Sequence, residues 1–363
     1  MESEYVMVKE RHLFPGSNTS IGFHSFFQYI IPLNEAKRIF YIKGGPGTGK
    51  SFLMKKIGKM FSEKGYSIEY FHCSSDNESL DGVVIKELGI ALLDGTAPHI
   101  NDPKVPGGLD EIINFGTCLN ETNLFKVKEE IMKVDDKIKD SFKRAYAYIG
   151  AARKVHDDWR HHNSKALDKD GLRKLKINLK NSIIKNNLDK KANERHLFAT
   201  AFTPNGIITY IDTLYKYCSK TYLLKGGPGT GKTELLNYIK EEALVNGYDV
   251  EIFHDPLNPE RIEHLILPEL DIAVLTSNEI NKLSLSSEEI DMDSLLNKDY
   301  IESVKDLILE DSDSFYKLLD IGLKNLSNCK NLHDELEKYY VDNIDFQCRD
   351  EISEKIINRL LKY

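Results

Sequence analysis

The sequence predicts an α/β protein of two tandem domains, each a parallel sheet flanked by helices and followed by a helical tail. Three observations carry this expectation. A glycine-rich octapeptide occurs twice, each copy lies between a strand-like and a helix-like run, and the repeat extends far beyond the octapeptide. Strands alternating with helices of this length imply a parallel sheet covered on both faces.

The octapeptides are Gly44-Gly45-Pro46-Gly47-Thr48-Gly49-Lys50-Ser51 and Gly226-Gly227-Pro228-Gly229-Thr230-Gly231-Lys232-Thr233. Both match G-x-x-x-x-G-K-[ST]. In that pattern glycines turn successive backbone N–H groups onto phosphates, the lysine reaches the β and γ oxygens, and the hydroxyl holds Mg²⁺. The expected nucleotide contacts are therefore Gly45 to Ser51 and Gly227 to Thr233. Ser51 and Thr233 are expected at the metal, and Lys50 is expected to be catalytic.

The flanks agree. Arg38 to Ile42 and Thr221 to Leu224 read as buried strands, while Ser51 to Lys64 and Thr233 to Leu244 carry apolar residues at helical spacing. A shift of 182 positions aligns residues 43–93 with 225–275 without a gap, with about 20 of 51 positions identical. Arg11-His12-Leu13-Phe14 returns as Arg195-His196-Leu197-Phe198, and Val155-His156 as Leu332-His333. Two domains follow, 1–193 and 194–363. The chain's 363 residues exceed what one core usually holds.

Second strands are expected at Ser67 to His72 and Asp249 to His254, then a helix, then third strands at Gly89 to Leu93 and Asp271 to Leu275. Ligands of such sheets sit beyond the carboxyl ends of the strands. Asp94, leaving the third strand, completes a Walker B pattern whose carboxylate fixes Mg²⁺, so it is expected as a catalytic and metal residue. The second copy has Thr276 there, and Asp255 is its nearest substitute. A complete site in the first half and a binding or regulatory site in the second are therefore expected. His99, on the Pro/Gly-rich segment after Asp94, is the candidate for orienting water or touching the γ-phosphate. His72 and His254 close the second strands and are expected to shape the loops by hydrogen bonding.

Leu124 to Arg160 predicts a long helix or helical hairpin. Arg144, Arg153 and Lys154, with Lys317, Lys324 and Lys330 on the matching tail, are candidates for a cation folding over the nucleotide or for a solvated helix face. Residues 165–195 carry ten basic and four acidic side chains, and residues 279–313 eleven acidic and three basic. A nucleic-acid partner is open only through the basic 165–195 stretch, because the whole chain is acidic at net −8.

The five cysteines form no C-x-x-C, so reduced, mostly buried thiols are expected, with Cys73 the nearest to the first loop. No apolar run reaches a membrane span, and Ile21 to Leu33 reads as an amphipathic helix. The start, Met1-Glu2-Ser3-Glu4, lacks a secretory signature, so a cytoplasmic protein without a membrane partner is expected.

The doubled loop, Asp94-Gly95-Thr96-Ala97-Pro98-His99, and the Phe71-His72 and Phe253-His254 strand ends together resemble a bacterial family of tandem P-loop ATPases. The resemblance implies two tandem P-loop NTPase domains and ATP with Mg²⁺ as cofactors. It implies that Lys50, Ser51 and Asp94 serve them in the first copy, and that Lys232 and Thr233 bind phosphate in the second. Family members tend to carry the aspartate in both copies, and this chain departs at Thr276 to Asn281. ATP hydrolysis mainly at the first loop is the expected function. A small-molecule or nucleotide kinase, and a nucleotide-sensing scaffold with little turnover, are the alternatives.

Overall fold

The computed structural model describes residues 9–96, 103–285 and 287–363. The first copy contributes β1 (Glu10–Leu13), β2 (Gly16–Thr19), β3 (Gly22–Ser25), β4 (Arg38–Lys43), α1 (Lys50–Ser62), β5 (Ile68–Cys73), β6 (Asp76–Ile85), β7 (Ile90–Asp94) and β8 (Asp110–Asn114). Its tail is α2 (Glu121–Lys126), α3 (Lys128–Ala166) and α4 (Lys169–Ile183). The second copy contributes β9 (Glu194–Leu197), β10 (Thr200–Thr203), β11 (Gly206–Thr209), α5 (Ile211–Tyr215), β12 (Lys220–Lys225), α6 (Lys232–Val245), β13 (Val250–His254), β14 (Ile262–Leu267), β15 (Ile272–Ser277) and β16 (Glu288–Asp291). Its tail is α7 (Lys298–Ser303), α8 (Lys305–Val341) and α9 (Phe346–Leu360).

The α/β class is as expected, but the sheets are mixed rather than parallel. One runs β1-β5-β6-β7-β4-β8, the other β16-β12-β15-β14-β13-β9. In each, one interior strand, β6 or β14, is antiparallel to both neighbours, and the remaining pairings are parallel. The expected helix between second and third strands is therefore a strand. Only Ser74 and Ser75 separate β5 from β6, a connection that suits a hairpin and is far too short for a crossover helix. The run Val83-Val84-Ile85 is β-branched and fully buried.

Ile21 to Leu33 is likewise not a helix. Gly22 takes φ +103, a left-handed value that suits glycine, and lets the chain double back from β2 into β3. A single 3₁₀ turn, Phe27–Tyr29, follows. The hairpins β2/β3 and β10/β11 join in a four-stranded antiparallel sheet through Phe202 opposite Asn18.

The chain packs as two compact units that do not coincide with the two copies. The first comprises the chain up to Pro15, Phe26–Lys143 and Asn325–Tyr363, and the second Gly16–Ser25 and Arg144–Lys324. The first loop's unit thus contains the end of the second copy's tail, and the second loop's unit the end of the first copy's.

Core packing follows this exchange. In the first unit Ile356, Ile357 and Leu360 of α9 pack with Phe40, Leu53, Ile57 and Leu92. In the second, Leu172, Leu179 and Ile183 of α4 pack with Leu235, Leu236, Ile239 and Val274. Cap residues repeat as well: Asp168 caps α4 and Asp345 caps α9, each accepting a backbone N–H two residues on.

Five cysteines were expected as thiols, yet Cys118 and Cys348 form a disulfide in the first unit, joining the start of its tail to α9. A separation of 230 residues leaves no spacing signal for such a pair. Cys73 is a free, half-buried thiol, and desolvation pushes it well above the usual range.

Candidate functional site

In the first unit β4 delivers the chain to the loop, and Gly49 at φ +91 turns it into α1. The neighbouring β7 pairs in parallel with β4, Ile42 opposite Asp94. Both strands therefore end at the same edge, and the Lys50 ammonium lies 3.6 Å from the Asp94 carboxylate. Lys50 also donates to the carbonyls of Gly44 at 3.0 Å and Gly45 at 2.9 Å. Asp94 is oriented by the Thr96 N–H at 2.8 Å, and the Thr96 hydroxyl donates to Gly44 O at 2.9 Å. Ser51, in the first turn of α1, accepts the N–H of Leu80 at 3.0 Å. Thr48 ties the loop by donating to Gly45 O at 2.8 Å.

Lys50 and Asp94 thus come together, and Ser51 follows Lys50 in the first turn of α1. Their oxygen donors, a hydroxyl and a carboxylate, are the hard ligands Mg²⁺ takes, so the residues present fit that ion. His99 lies outside the described residues.

The second loop repeats the construction. Gly231 at φ +90 opens α6, and Lys232 donates to Gly226 O and Gly227 O, both at 2.5 Å, and to Thr230 Oγ1 at 3.2 Å. A cavity of about 390 Å³ opens beside it, lined by Lys232, Thr233, Glu234, Asp255, Glu263, Thr276, Glu279, His156 and Arg160 among others. Thr276 occupies the Asp94 position, buried at the end of β15.

Carboxylates are nevertheless abundant here. Asp255 is pushed up to about 6, first by burial and then by the charge of Glu263. Burial works against the ionised form of Glu279. The hydrogen bond from His156, with the pull of His156 and Lys232, outweighs it and holds Glu279 below the usual carboxylate range. Burial lowers Lys232, opposed by Glu279, Asp293 and Asp255. Asp271, at the amino end of β15, takes no part in this group.

The exchanged tails furnish the outer wall of each loop. In the second unit Asn163 of α3 donates to Pro228 O at 2.7 Å, and a methyl placed on Gly229 would lie 2.2 Å from the Arg160 carbonyl. In the first unit Tyr340, Glu337 and Val341 of α8 and Arg349 of α9 take the corresponding places against Gly45, Gly47 and Gly49. Gly47 and Gly49, like Gly229 and Gly231, have positive φ, so these close approaches require glycine twice over.

Four of the six tail cations that sequence singled out have partners of their own. Arg153 donates to Ser20, Lys324 pairs with Asp320, Lys330 with Asp334, and Arg144 lies over Tyr148. Arg160 and Arg349 stand at the loops instead. Among the basic residues of 165–195, Lys176, Lys180 and Lys190 pair with Glu234, Glu242 and Asp249, which neutralises part of that stretch within its own unit.

His72 and His254 shape the segments that follow their strands. Each takes a hydrogen bond with the paired histidine, His12 or His196, at 2.8 Å, and a second with a carbonyl five residues on, Asn77 or Pro259.

Glu263, Glu279, His156 and Arg160 were not reachable from motif spacing. Glu279 aligns with Ala97 in the repeat, and the two α3 residues belong to the other copy. The available signals were Glu263 aligning with Asp81 and His156 recurring as His333.

Among the described residues no helix is long and apolar enough to cross a membrane. Residues 21–86 match the family model described as Nephrocystin 3, N-terminal, a segment that runs from the β2/β3 turn through the first loop and α1 to the end of β6. No curated protein and no solved structure matches the chain.

Proposed function

We propose that this chain is a Mg²⁺-dependent, ATP-binding protein with two tandem P-loop NTPase domains, hydrolysing ATP mainly at the first loop while the second binds or regulates. The observation that carries the reading is the 3.6 Å approach of Lys50 to Asp94 where β4 and β7 end. The loop glycines offer backbone N–H groups to phosphate oxygens. Lys50, held by Gly44 and Gly45 carbonyls, is released to the β and γ oxygens when phosphates replace those acceptors. Ser51 and Asp94 would hold the Mg²⁺, which when bound neutralises charge on the β and γ phosphates. Asp94 keeps its orientation through the Thr96 N–H, and His99 is proposed at the γ-phosphate from its sequence position. ATP is chosen over GTP on the family resemblance, the sequence showing no N-K-x-D base reader.

Phosphate release tests this reading. Lys50→Ala and Asp94→Asn are expected to lower turnover by about 100-fold or more, the scale for losing a preorganised electrostatic group. Lys232→Ala is expected to keep most of it. Turnover lost in Lys232→Ala and kept in Lys50→Ala would refute the assignment.

A further inference from the structure

We propose that the second loop is a metal-dependent triphosphate site whose metal-holding carboxylate is Glu279, fixed by His156 from the exchanged tail. The proposal rests on the reading of both loops as nucleotide cradles. It departs from the expectation that Thr276 leaves the second copy without a metal-holding carboxylate.

Three buried oxygens on residues that line this cavity have no hydrogen-bond partner: Thr276 Oγ1, Glu263 Oε2 and Glu279 Oε2. A buried carboxylate oxygen without a donor is destabilising unless a cation or a hydrogen bond meets it. With Thr233, which lines the same cavity, these residues supply the oxygen chemistry that a hard cation takes. At phosphate sites Mg²⁺ needs only one or two carboxylates, since phosphates and waters complete its shell.

Glu279 is the better placed of the two acids. Glu263 already accepts from Asn281 at 2.9 Å through its other oxygen and lies 3.4 Å from His264. Glu279 uses one oxygen for His156, and its other oxygen has no hydrogen-bond partner. Two residues past the end of β15, and one methylene longer than aspartate, Glu279 lines the same cavity as Thr276. His156 and Arg160 lie one helical turn apart on α3 and both line the cavity, so the face that positions the carboxylate also presents a cation.

The test uses the full chain carrying Lys50→Ala, so that only the second loop reports. Binding of a fluorescent ATP analogue with Mg²⁺ or with EDTA, and retention of Mn²⁺ by paramagnetic resonance, are measured together. The proposal expects nucleotide binding that weakens about tenfold or more without metal. Adding Glu279→Gln should abolish that metal dependence while metal-free affinity is kept, and adding Thr276→Asp to it should restore Mn²⁺ retention. Should Glu279→Gln fail to fold, Glu279→Asp, which keeps the charge but shortens its reach, should weaken Mn²⁺ retention. Unchanged Mn²⁺ retention in Glu279→Gln, or in Glu279→Asp where that is the folded variant, overturns the proposal. Binding indifferent to metal in the Lys50→Ala chain overturns it while leaving the cradle reading intact. No binding under either condition removes both.

Discussion

Truncating Leu360 to alanine should loosen the first loop's unit, although Leu360 lies at the far end of the second copy. The side chain is fully buried and packs with Phe40, Leu53, Ile57 and Leu92. Removing a leucine side chain from such a site and leaving a cavity costs about 3 kcal/mol, which raises the opening equilibrium of that unit about a hundredfold. Native-state hydrogen exchange reads this locally: amides of α1 should lose that protection while those of α6 keep theirs. Leu172→Ala is the mirror experiment. Leu172 packs with Leu235 and Leu236 and stands against Gly231, so α6 should loosen and α1 should not. If Leu360→Ala loosened α6 and spared α1, each tail would serve its own copy and the exchanged packing would be wrong.

Other consequences are equally accessible. Burial holds His72 near 4 and His254 near 3, against an ordinary value of 6.5, so the unfolded chain takes up protons first as pH falls. Stability is therefore complete above pH 6.5 and lost as pH drops below it, by about 3 kcal/mol for His72 alone at pH 4. Urea midpoints across that range should show the loss, and His72→Asn should flatten it. Reducing the Cys118 to Cys348 bond reopens a loop of 230 residues, and chain entropy sets an upper bound of about 5 kcal/mol on the resulting loss. A melt with and without reductant, with Cys348→Ser as control, measures it. Gly229→Ala should destabilise several times more than Gly206→Ala. Both sites have positive φ, costing about 1 to 2 kcal/mol in backbone strain, but only Gly229 also meets a carbonyl at 2.2 Å. Paired thermal melts decide.

Much of the core was legible because its signals are local. The two loops fix their own glycines, the preceding apolar runs become β4 and β12, and Asp94 arrives at the strand end that its four apolar predecessors imply. Four features were not legible in this way. β6 was read as helix because its buried run Val83-Val84-Ile85 has no polar alternation, and periodicity cannot separate a buried strand from a helix in so short a stretch. The helical tails were recognised, but an apolar face on α4 or α9 does not say which copy's core it covers. Glu279 escaped because the repeat aligns it with Ala97, and only the fold brings it to the cavity that Lys232 lines. Cys118 and Cys348 belong to the same class, meeting only when the last helix closes the first unit.

The most direct check on the catalytic assignment is a crystal structure with Mg²⁺ and a non-hydrolysable ATP analogue. The account predicts Lys50 moved from the Gly44 and Gly45 carbonyls onto the phosphates, with the metal between Ser51 and Asp94. A first loop still closed on its own lysine at saturating nucleotide, or a metal held without Asp94, would contradict it.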